Sequence, residues 1–144
     1  MYLEQLSVFM ENRVSRLNEV LLSLKESKVN VLSLSLADSS EYGVLRLIVD
    51  DPAKGRQVLK DAGFSAMLTK VLAVKLPNEV GTLQGVLEIL GNAGMNVEYM
   101  YVLANAKSFS GMIIKTGNPE EAAKVLADAG IEFVKAEEVG KIGA

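Results

Sequence analysis

The feature that most limits what this chain can fold into is that it is written twice. Asn12-Arg13-Val14 returns as Asn78-Glu79-Val80, an offset of 66 residues (12 to 78). At that offset Leu17 falls on Leu83, Leu21 on Leu87, Leu24 on Leu90, and Asn30-Val31 on Asn96-Val97. Further on, Val58-Leu59-Lys60-Asp61-Ala62-Gly63-Phe64 returns as Val125-Leu126-Ala127-Asp128-Ala129-Gly130-Ile131, with Pro52 on Pro119, at an offset of 67 (58 to 125). One residue has entered a loop between the two blocks. A repeat marks one supersecondary unit that has been copied, so both halves must take the same fold. The 144 residues accommodate two small domains of about 70 residues each, read as 1–70 and 71–144.

Hydrophobic period gives the order of elements within a copy. In the second, Val71 to Leu76 is a β-rich run ended by Pro77-Asn78. Leu83, Val86, Leu87 and Leu90 then recur at helical spacing, and Gly94 suits the left-handed stop of that helix. Asn96 to Leu103 and Phe109 to Lys115 read as two strands joined by a polar turn. Asn118, Pro119 and Glu121 announce a capped second helix whose buried face is Ala122, Val125, Leu126 and Ala129. Phe133 to Val139 supplies the last strand. In the first copy the same order runs through Leu6–Met10, Val14–Ser27, Val31–Ala37, Val44–Val49 and Pro52–Ala62. Met67 to Leu76 then carries the last strand of one copy into the first strand of the next. Each copy is therefore βαββαβ, the ferredoxin-like pattern of an α+β fold: an antiparallel sheet with both helices on one face. A copy this small has a thin core, and no Gly/Ser-rich linker separates the pair, so the copies are expected to pack side by side.

Composition removes several functions. There is no cysteine and no histidine, which excludes thiolate and imidazole chemistry and the commonest transition-metal ligands; no metal and no cofactor are expected. Fifteen basic against 18 acidic residues give a net charge of −3, the wrong sign for a nucleic-acid binder or a basic membrane-surface helix. No apolar run reaches the roughly 18 residues of a membrane span. The opening Met1-Tyr2-Leu3-Glu4-Gln5 has no signal-peptide pattern, so a cytoplasmic location is expected.

The informative segments are the loops leaving the first strand of each copy, Pro77-Asn78-Glu79-Val80-Gly81-Thr82-Leu83 and Glu11-Asn12-Arg13-Val14-Ser15-Arg16-Leu17. Each ends at a helix start, where free N–H groups and the dipole suit a carboxylate or phosphate. Gly81 permits close approach of a ligand to the backbone. Asn78 and Asn12 equally suit a turn, and Gly81 equally relieves crowding between strand and helix; the local sequence leaves both readings open. Arg13 could grip a phosphate, as an acyl-phosphate hydrolase on this fold would require, but its counterpart Glu79 would repel one.

A strand, then Asn-Glu-Val-Gly-Thr-Leu, an apolar helix and Ala93-Gly94-Met95-Asn96-Val97 resembles the ACT domain, whose usual run is Asp-x-Pro-Gly-x-Leu followed by Gly-Ile-Asn-Ile. The resemblance extends over both copies. Val80 stands where the family has proline, and Val14-Ser15 replaces Pro-Gly in the first copy. The resemblance implies a small regulatory protein, not an enzyme, that binds a free amino acid. Its implied ligand residues are Asn78, Glu79, Val80, Gly81, Thr82 and Leu83 in the loop with Asn96 and Val97 on the second strand. Their first-copy counterparts are Asn12, Arg13, Val14, Ser15, Asn30 and Val31. It places ligands where such a loop meets the second strand of a neighbouring unit, with Asn30 the partner of the second-copy loop if a site spans the copies. The aliphatic residues among these lean towards an apolar, branched ligand side chain. The alternative is an assembly module whose copies only pair, with themselves or with a partner enzyme. The apolar edges Val31–Ala37 and Asn96–Leu103 suggest homo-oligomers of two or more chains.

Overall fold

A computed structural model describes residues 2–38, 42–105 and 108–141. The chain divides into two compact units, one spanning Glu4–Thr69 and the other running from Lys70 onward and including Tyr2 and Leu3. The division falls inside a single strand.

The first unit contains β1 (Tyr2–Glu11), α1 (Arg16–Glu26), β2 (Val31–Asp38), β3 (Tyr42–Val49), α2 (Pro52–Asp61) and the first half of β4 (Ser65–Pro77). Alternating apolar residues set the register. Leu47 lies opposite both Leu6 and Leu34, and Leu45 opposite both Val8 and Leu36, so β3 is antiparallel to β1 and β2. The strand order is β2-β3-β1-β4, and Ser7 Oγ meets Thr69 Oγ1 at 2.8 Å where β4 runs beside β1. One face of this sheet presents Leu6, Val8, Leu45 and Leu47 to Val20 and Leu24 of α1 and Leu59 of α2. Full burial of each such leucine stabilises by about 2 kcal/mol.

The second unit repeats this with the rest of β4, α3 (Thr82–Asn92), β5 (Val97–Asn105), β6 (Phe109–Thr116), α4 (Pro119–Asp128) and β7 (Glu132–Phe133). β6 lies between β4 and β5, and β7 pairs with β4 at Val74–Phe133. Both units are thus ferredoxin-like βαββαβ repeats with antiparallel strands. The second core joins Leu72, Val74, Val86, Leu90, Ile114 and Leu126. The turn between β5 and β6 falls partly on residues 106–107, outside the described residues.

Helix ends follow local chemistry. Asn118 Oδ1 accepts the Glu121 N–H at 3.2 Å with Pro119 at the first position, and Asp51 Oδ1 accepts the Lys54 N–H at 3.2 Å. The Glu121 carboxylate meets the Asn118 side-chain amide at 3.2 Å. Gly94 ends α3 at φ 74, and in the first unit Lys28 takes the same left-handed conformation at φ 60.

Three expectations are corrected. α1 begins at Arg16, not Val14, because Ser15 is left-handed at φ 70. On the helices, Leu87 is 37% exposed at the margin of its stripe, and Ala123 takes the core place expected of Ala129, which lies beyond the end of α4. The last strand ends at Phe133 instead of reaching Val139. Val134 still donates to Ala73 O at 2.8 Å, but the Glu138 carboxylate then takes the Lys135 N–H at 3.1 Å. The local side-chain bond outcompetes the ladder, and Ala136–Lys141 winds into a 3-10 helix.

Candidate functional site

The two strand-to-helix loops share one backbone device. Gly81 (φ 89) and Ser15 (φ 70) are both left-handed residues at the N-cap of their helix, and neither helix start receives a side-chain cap. A serine pays steric strain for this conformation that glycine does not. In the second loop, Asn78 N donates to Ser108 O at 3.1 Å, Glu79 N to Pro77 O at 2.9 Å, and the Thr82 hydroxyl to Pro77 O at 3.0 Å. Thr82 thus ties the helix start to the strand end. The N–H groups of Leu83 and Gln84 lie in the first turn, where a helix supplies no partners of its own. Open space surrounds Gly81, since a Cβ there would meet nothing within 4 Å.

Electrostatics separate the loops. In the first, Arg13 lies 3.6 Å from the Glu11 carboxylate and 3.9 Å from that of Glu19, which Arg16 also meets at 2.6 Å. The charges at that helix start therefore satisfy one another. In the second, Thr82 and Gly85 stand where Arg16 and Glu19 stand in the first, so no carboxylate from the helix competes for the site. Arg16 was not among the sequence candidates. Its guanidinium sits 4.3 Å over the Phe64 ring, and its buried Nε has no partner among the described residues. It also lines a shallow cleft of about 280 Å³ with Phe9 and Tyr42.

The remaining candidates go elsewhere. Val14 and Val80 sit at the loop tips, 89% and 107% exposed. Leu17 and Val31 pack against the first core, and Leu83 and Val97 against the second, so these four are packing residues before they are ligand walls. Asn30 and Asn96 open β2 and β5. Within a unit they lie at the opposite end of the sheet from the loop, because Glu11 pairs with Tyr42 whereas Val31 pairs with Val49. The eight residues of β2 span about 23 Å between those ends. A unit therefore does not join its own loop to its own asparagine.

At that far end the repeats diverge, at Thr116 and Gly117, which are not among the sequence candidates. In the second unit a cleft of about 380 Å³ is lined by Met95, Asn96, Glu98, Thr116, Asn118 and Glu121. Aligning Val49-Asp50 with Thr116-Gly117 at the offset of 67 would have drawn attention to it. Two carboxylates of this unit titrate below their ordinary value. The Lys70 ammonium and its own N–H lower Glu120, and the Lys135 N–H and then the Lys75 ammonium lower Glu138. Among the described residues no cluster of acidic side chains could hold a metal, and no helix is long and apolar enough to cross a membrane.

Two βαββαβ units with a left-handed residue opening each first helix define a tandem ferredoxin-like fold. The chain belongs to the ACT domain pair family, which matches residues 1–142. Protein BT0572 from Bacteroides thetaiotaomicron is similar at 34% identity over 99% of this chain and 98% of that one, with a TM-score of 0.91. The ligand-free regulatory subunit of aspartate kinase from Thermus thermophilus is similar at 16% identity over 88% and 91%, with a TM-score of 0.64. That of Thermus flavus gives 17%, 90% and 95%, and 0.58. At such identities the two subunits share the fold. No curated protein sequence matches the chain. Membership of the ACT pair family supports a regulatory, ligand-binding role over a catalytic one.

Proposed function

We propose that the protein is a regulatory module that binds a free amino acid, with the second-unit loop as its principal site. The observation that carries this reading is the uncapped start of α3 behind the left-handed Gly81, with open space around it. A ligand carboxylate there would meet the backbone N–H groups of the first turn, where the helix dipole favours negative charge. Asn78 and Glu79 flank this position and offer acceptors to the ammonium group. The first-unit loop, whose arginines are held by Glu11 and Glu19, is the weaker site.

A thermal-shift screen against the twenty amino acids, followed by calorimetry with the best of them, tests the reading. Binding at a hundredfold excess over Kd stabilises by about 2.7 kcal/mol. Gly81→Val is expected to weaken affinity at least tenfold, because valine resists positive φ and its branches block backbone approach. Ser15→Gly should leave affinity unchanged or add a second, weak site. Unchanged affinity in Gly81→Val removes the loop from the site.

The exposed Val14 and Val80, with Leu34 and Leu36 on β2 and Val102 on β5, favour a second reading. In it the units contact another polypeptide, either a second copy or a partner enzyme. Sedimentation showing a monomer at high concentration would count against self-association.

A further inference from the structure

The repeat departs furthest from itself at the end of each unit remote from the loops. In the first unit Asp50 closes this end. Its Oδ1 accepts the Asn30 N–H at 3.0 Å, and its own N–H donates to the Asn30 carbonyl at 3.1 Å. Beside it Val49 is 5% exposed and belongs to the core. In the second unit Gly117 stands in the place of Asp50 and Thr116 in that of Val49. Neither closing bond has an equivalent among the described residues, and the 380 Å³ cleft opens there. Such a volume falls within the range of small-molecule sites.

Thr116 is the decisive residue. It lies on the same face of β6 as the core residue Ile114, is 1% exposed, lines the cleft, and its Oγ1 has no partner among the described residues. A buried hydroxyl left unpaired destabilises a fold. Valine fits the equivalent place at position 49 without that cost. The hydroxyl becomes favourable once something in the cleft reaches it.

Charge selects what that is. Glu98 and Glu121 both line the cleft. Glu98 shares its carboxylate with Lys115 at 3.2 Å, whereas among the described residues the Glu121 carboxylate meets only the Asn118 amide, at 3.2 Å, and no cation. In the first unit Lys54 stands in the place of Glu121, and the cleft beside the corresponding turn lies against α1, lined by Leu21, Lys25, Lys28 and Asn30. The full charge of the Glu121 carboxylate outweighs the roughly half-unit positive end of α4 beside it, so this cleft favours a cation over a small anion. The N–H of Asn96, released by the loss of the aspartate, and the Thr116 hydroxyl remain to hold an acceptor atom on the same ligand.

We infer that this cleft is a second small-molecule site, independent of the loop site, that takes a protonated primary amine of about the size of a free amino acid. The ammonium group sits against the Glu121 carboxylate, and an acceptor on the ligand takes the Asn96 N–H and the Thr116 hydroxyl. Amino acids and short diamines share the ammonium chemistry, and only the former bring a carboxylate acceptor.

The test is titration of the 15N-labelled full chain, followed by amide shifts, with the twenty amino acids, with 1,4-diaminobutane and with propionate as the amine-free control. An amine-bearing probe is expected to move the amides of Asn96 and Gly117, and propionate is not. Amino acids binding more tightly than the diamine would make the acceptor a carboxylate; the reverse order would make the ligand a diamine. Thr116→Val should weaken binding at least tenfold while raising the thermal midpoint, a pairing that a purely structural threonine would not produce. Gly117→Asn restores an acceptor for the Asn96 N–H. Its backbone is not left-handed and its Cβ would meet only Glu98 Oε2, at 4.0 Å, so the variant should fold and lose the response. Glu121→Gln should weaken binding with the helix cap intact, and Gly81→Val should leave the Asn96 and Gly117 shifts as they are. The inference is overturned if no probe moves those amides, if propionate moves them equally, or if Thr116→Val binds as tightly as the unaltered chain.

Discussion

Leu6, Val8, Leu24, Leu47 and Leu59 of the first unit are buried at the same places as Leu72, Val74, Leu90, Ile114 and Leu126 of the second, whereas the polar residues at the ends of the units hardly correspond. Arg16 and Glu19 correspond to Thr82 and Gly85 in the repeat, Lys28 to Gly94, and Asp50 to Gly117. The core answers only to the packing of two helices on a sheet, so duplication left it intact. The ends answer to whatever approaches from solvent and have drifted apart. In the first unit they are closed by internal ion pairs and an aspartate clasp, and in the second they are left open. The second unit is accordingly where both proposed sites lie.

The comparison can be broken most forcefully at the core. Leu6→Ala and Leu72→Ala each remove a side chain with no exposed surface and should each cost about 2–5 kcal/mol, read by urea denaturation. A cost below 1 kcal/mol for one of them would show that the two cores are not equivalent.

A smaller, opposite pair of effects is expected where Lys28 and Gly94 end the first helices. Lys28 holds a left-handed conformation (φ 60) that Gly94 (φ 74) holds freely. Lys28→Gly should therefore stabilise by about 1 kcal/mol, and Gly94→Lys should destabilise by about as much. Equal midpoints for Lys28→Gly and the unaltered chain would mean that local contacts repay the strain.

The smallest effect concerns acid. Glu120 and Glu138, both in the second unit, are held below the ordinary carboxylate value of 4.5. A carboxylate with a depressed folded pKa contributes stability that is fully present above its unfolded pKa. That stability is lost as pH falls through the folded pKa. Between about pH 5 and pH 3 the two pairings should fade, with Glu138→Gln flattening part of that slope. Glu120 is exposed and Glu138 half-buried, so 1 M salt should reduce the difference, more for the Glu120 pair than for the Glu138 pair. An unchanged acid limb in Glu138→Gln would show that its bonds to Lys135 and Lys75 do not contribute.

The fold was largely legible in the chain because the features that specify it are local. Pro77, Gly94, Asn118 and Pro119 each punctuate through their own backbone chemistry, and the spacing of Val86 and Leu90 gives the helix face directly. The last strand departs from its sequence pattern because Phe133–Val139 is apolar enough for a strand, whereas the Glu138 carboxylate accepts the Lys135 N–H locally and is held by Lys75, 63 residues away along the chain. The loops were found as candidates, since a strand, a left-handed residue and a helix start leave a mark in sequence. That Asn96 lies at the other end of its own unit was not visible, because register and strand direction decide it.

The sequence by itself determined the duplicated βαββαβ order, the family, the absence of thiol and imidazole chemistry, and the pair of loops at the helix starts. Each of these depends on residue types and spacings within a few turns of chain. Only the tertiary structure decided that the Thr116 hydroxyl lies buried without a partner among the described residues, that Asp50 clasps Asn30 while Gly117 releases Asn96, and that Glu98, Thr116 and Glu121 line one cleft. Burial and hydrogen-bond pairing are relations between segments distant along the chain, and they come into being when the sheet and its helices pack.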